Sequence, residues 1–328
     1  MDQPSHISVI LDLSPSQWHL SSLPQNPYPL SLKSFLAQVL AFLNLHIASK
    51  HENTLAIFGA FPGKSVMLYS STDPASDSSD SGSPNIYRPF EIVDSRVVTR
   101  IEEELESIDD SQEEAPIGLV GALTKALCYI NRIKHPTPST QSNGTTVEDP
   151  ATLPDPRILI LSVSPDLSTS YIPIMNSIFS AQKLKIIIDV CKIYGPDTVF
   201  LEQAAHLTGG SYVYLERRDA LLQHLVMSHL PSPALRKLMA VPTQDKIDFR
   251  AACFCHKNIV DVGFVCSVCL SIFCRPVAVC TTCRTKFPMS TLRRLDAYLP
   301  RAAKQANGTA KTSAPPTPTA TGLPSTPR

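Results

Sequence analysis

Seven of the nine cysteines fall between Cys253 and Cys283, and their spacing is the part of the sequence best suited to chemistry. Cys266-Ser-Val-Cys269 and Cys280-Thr-Thr-Cys283 are two C-x2-C pairs with ten residues between them. Such a pair folds into a tight knuckle that points both thiolates at one ion. Two knuckles supply four sulfurs in a tetrahedron, a donor set that suits zinc. Protein would fill every coordination position, leaving none for a reacting water. The expected site is therefore structural, and its binding energy is folding energy. The competing possibility is a group of buried, unligated thiols.

Cys253, Cys255, His256 and Cys274 remain. Three of them precede the first knuckle, and Cys274 lies between the two. That interleaved order would suit a second zinc in a cross-brace, as in RING-like domains. Two features oppose it. Cys253-x-Cys255-His256 is an irregular knuckle, and Val277 stands three residues after Cys274, where a regular cross-brace has a ligand. The alternative is that Cys255 or Cys274 packs as a small hydrophobe beside Phe254, Phe264 and Phe273. One zinc is expected, and the second site stays open.

A different pattern closes the first apolar run. Asp12-Leu-Ser14-Pro-Ser16 stands where the first strand of an α/β sheet should end, and such sheets bind ligands at the carboxyl ends of their strands. A carboxylate and two hydroxyls can hold a hard divalent cation. The pattern resembles the metal-dependent adhesion site of von Willebrand A-like domains, which needs a further Thr and a further Asp. Thr124 falls in a helical pattern, and Asp166 lacks the usual Gly/Thr setting. Magnesium is not expected here. The alternative is that Ser14 and Ser16 satisfy loop backbone groups, with Asp12 capping a turn.

Nothing else points to a reaction centre. The sequence has no G-x-S-x-G, Walker A or G-x-G-x-x-G motif. The histidines His6, His19, His46, His51, His206, His224 and His229 are scattered and read as surface or partly buried residues. Trp18 is either an exposed anchor or core. Thr208-Gly-Gly-Ser211 precedes a strand instead of opening a helix, so it makes no phosphate cradle. Arg284, Lys286, Arg293 and Arg294 form a basic cluster without interleaved aromatic residues; direct DNA contact is left open.

The elements that must carry these residues alternate. Strands are expected at 6–12, 157–164, 185–194 and 210–216, with a strand pair flanking Pro62-Gly63. Helices are expected at 31–50, 94–108, 117–134, 168–183, 197–208 and 219–230, with residues 12–16 as a loop. Strands alternating with helices of this length imply an α/β fold, a mostly parallel Rossmann-type sheet with helices on both faces. The expected organisation is a sheet domain at 1–231, a linker at 232–248, a zinc-binding domain at 249–290 and a disordered tail at 300–328. Soft loops are expected at about 71–88 and 135–156.

The 328 residues carry 29 Lys and Arg against 29 Asp and Glu, so formal net charge is zero. Hydrophobic residues reach 43% and charged residues 18%, which excludes a wholly disordered chain and a uniformly basic nucleic-acid coat. Charge is nevertheless segregated. Thirteen acids face three arginines from Thr72 to Ala115, and ten basic residues face two aspartates from Ala251 onward. No apolar run is expected to reach the ~18–20 residues of a membrane span. The N-terminus lacks a basic n-region and carries Asp12 in its apolar run, so no signal peptide is expected. Disulfides are not expected on that reading.

Taken together, the A-domain-like start and FRAACFCHKNIVDVGFVCSVCLSIFC followed by VCTTC resemble the small von Willebrand A/zinc-finger subunit of the general transcription and repair factor TFIIH. MNSIFSAQK (175–183) and LTGGSY (207–212) also look like that family. The resemblance covers about residues 5–290. It implies a von Willebrand A-like fold and a non-enzymatic nuclear core subunit. It further implies a partner subunit, larger, with its own von Willebrand A-like and zinc domains. The assembly would include helicase subunits and act in RNA polymerase II initiation and nucleotide excision repair. The family's four-cysteine finger maps onto Cys266, Cys269, Cys280 and Cys283. Three other readings stay in view: a RING-like ubiquitin ligase, a metal-dependent ligand-binding A domain using Asp12, and direct DNA binding through the basic C-terminal part.

Overall fold

The computed structural model describes residues 4–72, 87–108, 115–134, 155–166, 171–236, 238–239, 249, 251–256 and 259–297. The expected loops at 71–88 and 135–156 and the linker at 232–248 lie mostly outside these residues, and the tail at 300–328 wholly so. Contacts divide the chain into two units, Met1–Arg250 and Ala251–Arg328.

Strand β1 (Ser5–Asp12) is buried over all but its first residue, and its side chains alternate between two covered faces. Ile7, Val9 and Leu11 join Phe35, Val39, Phe42 and Leu43 of α2 (Leu32–Ser49) and Val93, Val97 and Ile101 of α3 (Arg88–Glu106) in one core. On the opposite face, α4 (Leu119–Lys134) places Tyr129 against His6, with ring centroids 5.7 Å apart. Period-2 strands with both faces apolar need helices on both sides, and that is the arrangement found.

The remaining sheet strands are β2 (Thr54–Phe61), β3 (Lys64–Ser70), β4 (Asp155–Ser162), β5 (Ile187–Lys192) and β6 (Tyr212–Tyr214). Their order is β3-β2-β1-β4-β5-β6. All pairings are parallel except β2–β3, which turn at Pro62-Gly63 with Gly63 at φ +68°. This is the expected von Willebrand A-like sheet. Helix α5 (Tyr171–Lys183) joins β4 to β5, and α6 (Val199–Thr208) joins β5 to β6.

Three expectations change. Residues after Asp12 are not all loop: α1 (Pro15–Ser22) starts there, with Pro15 in its first turn. Proline suits that position because the amide it lacks would be unsatisfied anyway. The expected helix at 219–230 is broken into a 3-10 turn (Arg218–Ala220), α7 (Leu221–His224) and a π-turn (Leu225–His229). A short helix, α8 (Pro233–Arg236), follows. Helix α2 is also long and apolar enough to cross a membrane by length and composition. Here its Phe35, Val39 and Phe42 face covers the sheet.

The second unit is built from two-residue strands. β7 (Ala251–Ala252) pairs antiparallel with β8 (Ile259–Val260), and β9 (Phe264–Val265) with β10 (Ile272–Phe273). Helix α9 (Met289–Ala297) follows. The buried core around Phe273 consists otherwise of Cys266 and Cys280, with Phe254, Val277 and Phe287 partly covered against it. So little apolar burial cannot hold about 40 residues without a staple.

Candidate metal centres

The two knuckles have the same backbone design. Cys266 N–H donates to Ser271 O at 2.9 Å, and Leu270 N–H donates to Cys266 O at 3.0 Å. In the second knuckle, Cys280 N–H donates to Thr285 O and Arg284 N–H to Cys280 O, each at 2.9 Å. Leu270 (φ 59°) and Arg284 (φ 60°) both take the left-handed conformation that turns the chain out of the knuckle. Side chains rarely adopt it, so its recurrence at both equivalent positions marks a required geometry.

This design brings the four predicted ligands together. The sulfurs of Cys266, Cys269, Cys280 and Cys283 lie within 4.8 Å of one another. Cys266 and Cys283 are 3.7 Å apart, and Cys269 and Cys280 are 3.5 Å apart. A tetrahedron of Zn–S bonds of ~2.3 Å has edges of about 3.8 Å, so the donor set fits zinc. The residue two after each second cysteine places a hydroxyl on its sulfur. Ser271 Oγ lies 3.1 Å from Cys269 Sγ, and Thr285 Oγ1 lies 3.1 Å from Cys283 Sγ. Hydrogen bonding to Ser271 holds the Cys269 thiol down at about 6, and Thr285 likewise lowers Cys283. Both effects favour the thiolate, the form that binds metal.

Cys253, Cys255, His256 and Cys274 also converge, with ligand atoms within 4.8 Å of one another. Cys255 Sγ is 3.5 Å and His256 Nδ1 is 3.2 Å from Cys274 Sγ. All nine cysteines are free thiols.

Asp12, Ser14 and Ser16 behave differently. Strand order reverses between β1 and β4, so the carboxyl ends of these strands form the sheet's switch point. Asp12 turns both carboxylate oxygens across it. Oδ2 accepts from Val163 N–H at 3.0 Å and Ser164 N–H at 2.7 Å, and Oδ1 accepts from Ser164 Oγ at 3.0 Å. The Asp12 carbonyl accepts from Trp18 Nε1 at 2.8 Å, and Trp18 is core, packed against Phe35 with ring centroids 4.4 Å apart. Ser14 and Ser16 pair with each other at 3.2 Å. Asp166 Oδ2 accepts from Phe200 N–H at 3.1 Å, in the first turn of α6. Thr124 is exposed on α4.

Sequence reading missed Lys192. This fully buried lysine ends β5, and its Nζ donates to Ser164 O at 2.6 Å. Burial lowers it to about 8, while the charges of Asp12, Asp166 and Asp197 oppose that shift. Burial raises Asp12, and its hydrogen bonds from Ser164 and Val163 oppose that rise. A lysine inside Ile186–Ile193, a run that is apolar apart from Asp189 and Lys192 themselves, was the available signal. Asp189 and Arg236 were missed as well. Burial alone would raise Asp189, but the two-pronged bond from Arg236 (2.5 and 2.8 Å) holds it below the usual carboxylate range. Arg157 gathers the carbonyls of His229, Leu230 and Pro231 at 2.7–2.9 Å. His6, His46 and His229, read as surface or partly buried, are fully buried, and burial pushes each down to about 4.

Comparison with known proteins adds to this geometry. Residues 4–284 match the family model for transcription factor Tfb4. The chain is 42% identical over 295 residues to the general transcription and DNA repair factor IIH subunit tfb4 of Schizosaccharomyces pombe, covering 88% of this chain and 92% of that protein. It is 32% identical to the corresponding TFB4 subunit of Saccharomyces cerevisiae, covering 90% and 89%. Among solved structures, the N-terminal domain of TFIIH p34 matches with a TM-score of 0.55 and 29% identity, over 68% of this chain and 96% of that one.

Proposed function

The chain belongs to the transcription factor Tfb4 family, and from that membership we propose that it is a structural core subunit of the general transcription and DNA repair factor IIH. The observation that carries this reading is the extent of the match. It runs from residue 4 to residue 284 and so includes both the sheet unit and both cysteine clusters. The chain would act in RNA polymerase II initiation and nucleotide excision repair, in the nucleus. Its direct partner would be the larger von Willebrand A/zinc subunit, with the helicase subunits reached through the assembly.

The role we infer is non-enzymatic. Asp12, Asp189 and Lys192 are the buried charges that would draw attention in a search for catalysts, and each is bonded within the sheet unit. We read Asp12 as a brace that ties β1 to the end of β4, with the Lys192 ammonium supplying nearby positive charge. Cys266, Cys269, Cys280 and Cys283 would hold one structural zinc, which fixes the knuckles and therefore the surface they display. Zinc here supplies folding energy and no reaction step.

Conditional depletion tests the proposal. Transcription initiation by RNA polymerase II and removal of ultraviolet photoproducts should fall together when the chain is lost, and return together with the wild-type chain. Loss that leaves both processes intact would rule the reading out.

A further inference from the structure

The geometry points to a second structural zinc, held by Cys253, Cys255, His256 and Cys274, which makes the module a cross-brace of two ions. Donors from two distant stretches all lie within 4.8 Å of one another, as do those of the four-cysteine site. The Cys255–Cys274 separation of 3.5 Å is close to the edge of a zinc tetrahedron.

His256 points the same way. It is exposed, yet its Nδ1 lies 3.2 Å from the Cys274 sulfur. Packing of thiols as small hydrophobes would not place a solvated imidazole there. Three sulfurs and one imidazole are a donor set that suits zinc and not an oxygen-seeking cation. His256 thus supplies the ligand that Val277 fails to supply.

The site also has something to hold in place. Cys253, Cys255 and His256 sit in the connection between β7 and β8, and Cys274 directly follows β10. Among the described residues, the backbone hydrogen bond between these stretches runs from Phe254 N–H to Ile272 O at 2.7 Å. Each strand is two residues long. One ion at the knuckles would leave the 251–260 hairpin without a metal tie of its own. A second ion ties the hairpin to the arm between the knuckles. Because Cys274 lies between Cys269 and Cys280, each ion constrains the segment that carries the other's ligands.

Zinc content of the purified full chain, measured by elemental mass spectrometry against polypeptide, tests the proposal. About two zinc ions per chain are expected, falling to about one in Cys274→Ser and in His256→Ala. With cobalt as the probe, the wild type should show two overlapping sets of ligand-field bands. One set comes from a four-sulfur site and the other from a site of three sulfurs and one nitrogen. His256→Ala should lose the nitrogen-containing component. A wild-type content of one, unchanged in Cys274→Ser, would overturn the second site and leave the first. A content of zero would overturn both. If the variants fail to fold, the wild-type count and a free-thiol assay decide, since a Cys255–Cys274 disulfide would remove two thiols and contradict the site. None of these results depends on whether the chain assembles into the transcription factor.

Discussion

At the scale of single residues, the difference between the two candidate metal regions is where the donors point. Sulfurs at the knuckles face one another, whereas Asp12 spends its oxygens on Val163 and Ser164. Replacing Asp12 by Ala should therefore destabilise the sheet unit itself. It orphans two buried amides and removes one of the counter-charges of a buried lysine, a loss of about 3–5 kcal/mol. Urea unfolding would measure it, and a change below about 0.5 kcal/mol would contradict the brace. The buried histidines give a pH dependence. His6, His46 and His229 are depressed from 6.5 to about 4, so between these values the unfolded chain binds more protons than the folded one. Stability is fully present above about 6.5 and is lost as pH falls toward 4. The raised carboxyls of Asp12 and Asp166 act in the opposite sense above 3.8, so the loss should be shallower near the acid end. Thermal melting should occur at lower temperature at about pH 5 than at about pH 7; an equal or higher value at the lower pH would contradict the burial of these rings.

At the scale of elements, the sequence signals that succeeded were periodic ones. Strands β1, β4 and β5 were visible as apolar runs, and α2 as a helical pattern, because burial on a fixed face dictates residue type locally. The features that escaped depend on long-range partners. Nothing local marks Lys192 as bonded to Ser164, or Arg157 as a collector of carbonyls from the distant segment 229–231. Helix α1 escaped because its own residues are mostly polar and its anchor, Trp18, is held by the Asp12 carbonyl. The cysteine pairs were legible from spacing alone, whereas Cys253, Cys255, His256 and Cys274 were named from their interleaved order but left open, since an irregular run gives no spacing rule. Gly209 and Gly210 show how a short motif acquires meaning in an element. Gly209 ends α6 at φ +75°, and a Cβ on Gly210 would lie 2.0 Å from the Ile188 carbonyl. Gly209→Ala should cost about 1 kcal/mol. Gly210→Ala must displace β5 backbone and should cost about 3 kcal/mol or more. Denaturation of the two variants side by side checks the order, and a reversed order would contradict the close approach.

At the scale of the whole molecule, the two units owe their stability to different physics. The sheet unit has a two-faced apolar core, while the cysteine module has one fully buried phenylalanine and would depend on the proposed metal. A zinc chelator should therefore abolish amide protection across residues 251–297 and leave β1, β4 and β5 protected, as hydrogen exchange would show. Loss of protection in both units, or in neither, would contradict that division. A RING-like order of ligands does not by itself confer ligase activity, because a cross-brace is a way of folding a short chain and function lies in what its surface meets. Cys266→Ser, which removes one knuckle ligand, should both unfold the module and weaken assembly. The most direct measurement is purification of the tagged chain at native abundance, read by mass spectrometry. Stoichiometric recovery of a second von Willebrand A/zinc subunit together with helicase subunits is the expected result. Recovery of ubiquitin-conjugating enzymes instead, or of no stable partner, would contradict a role as a structural subunit of factor IIH.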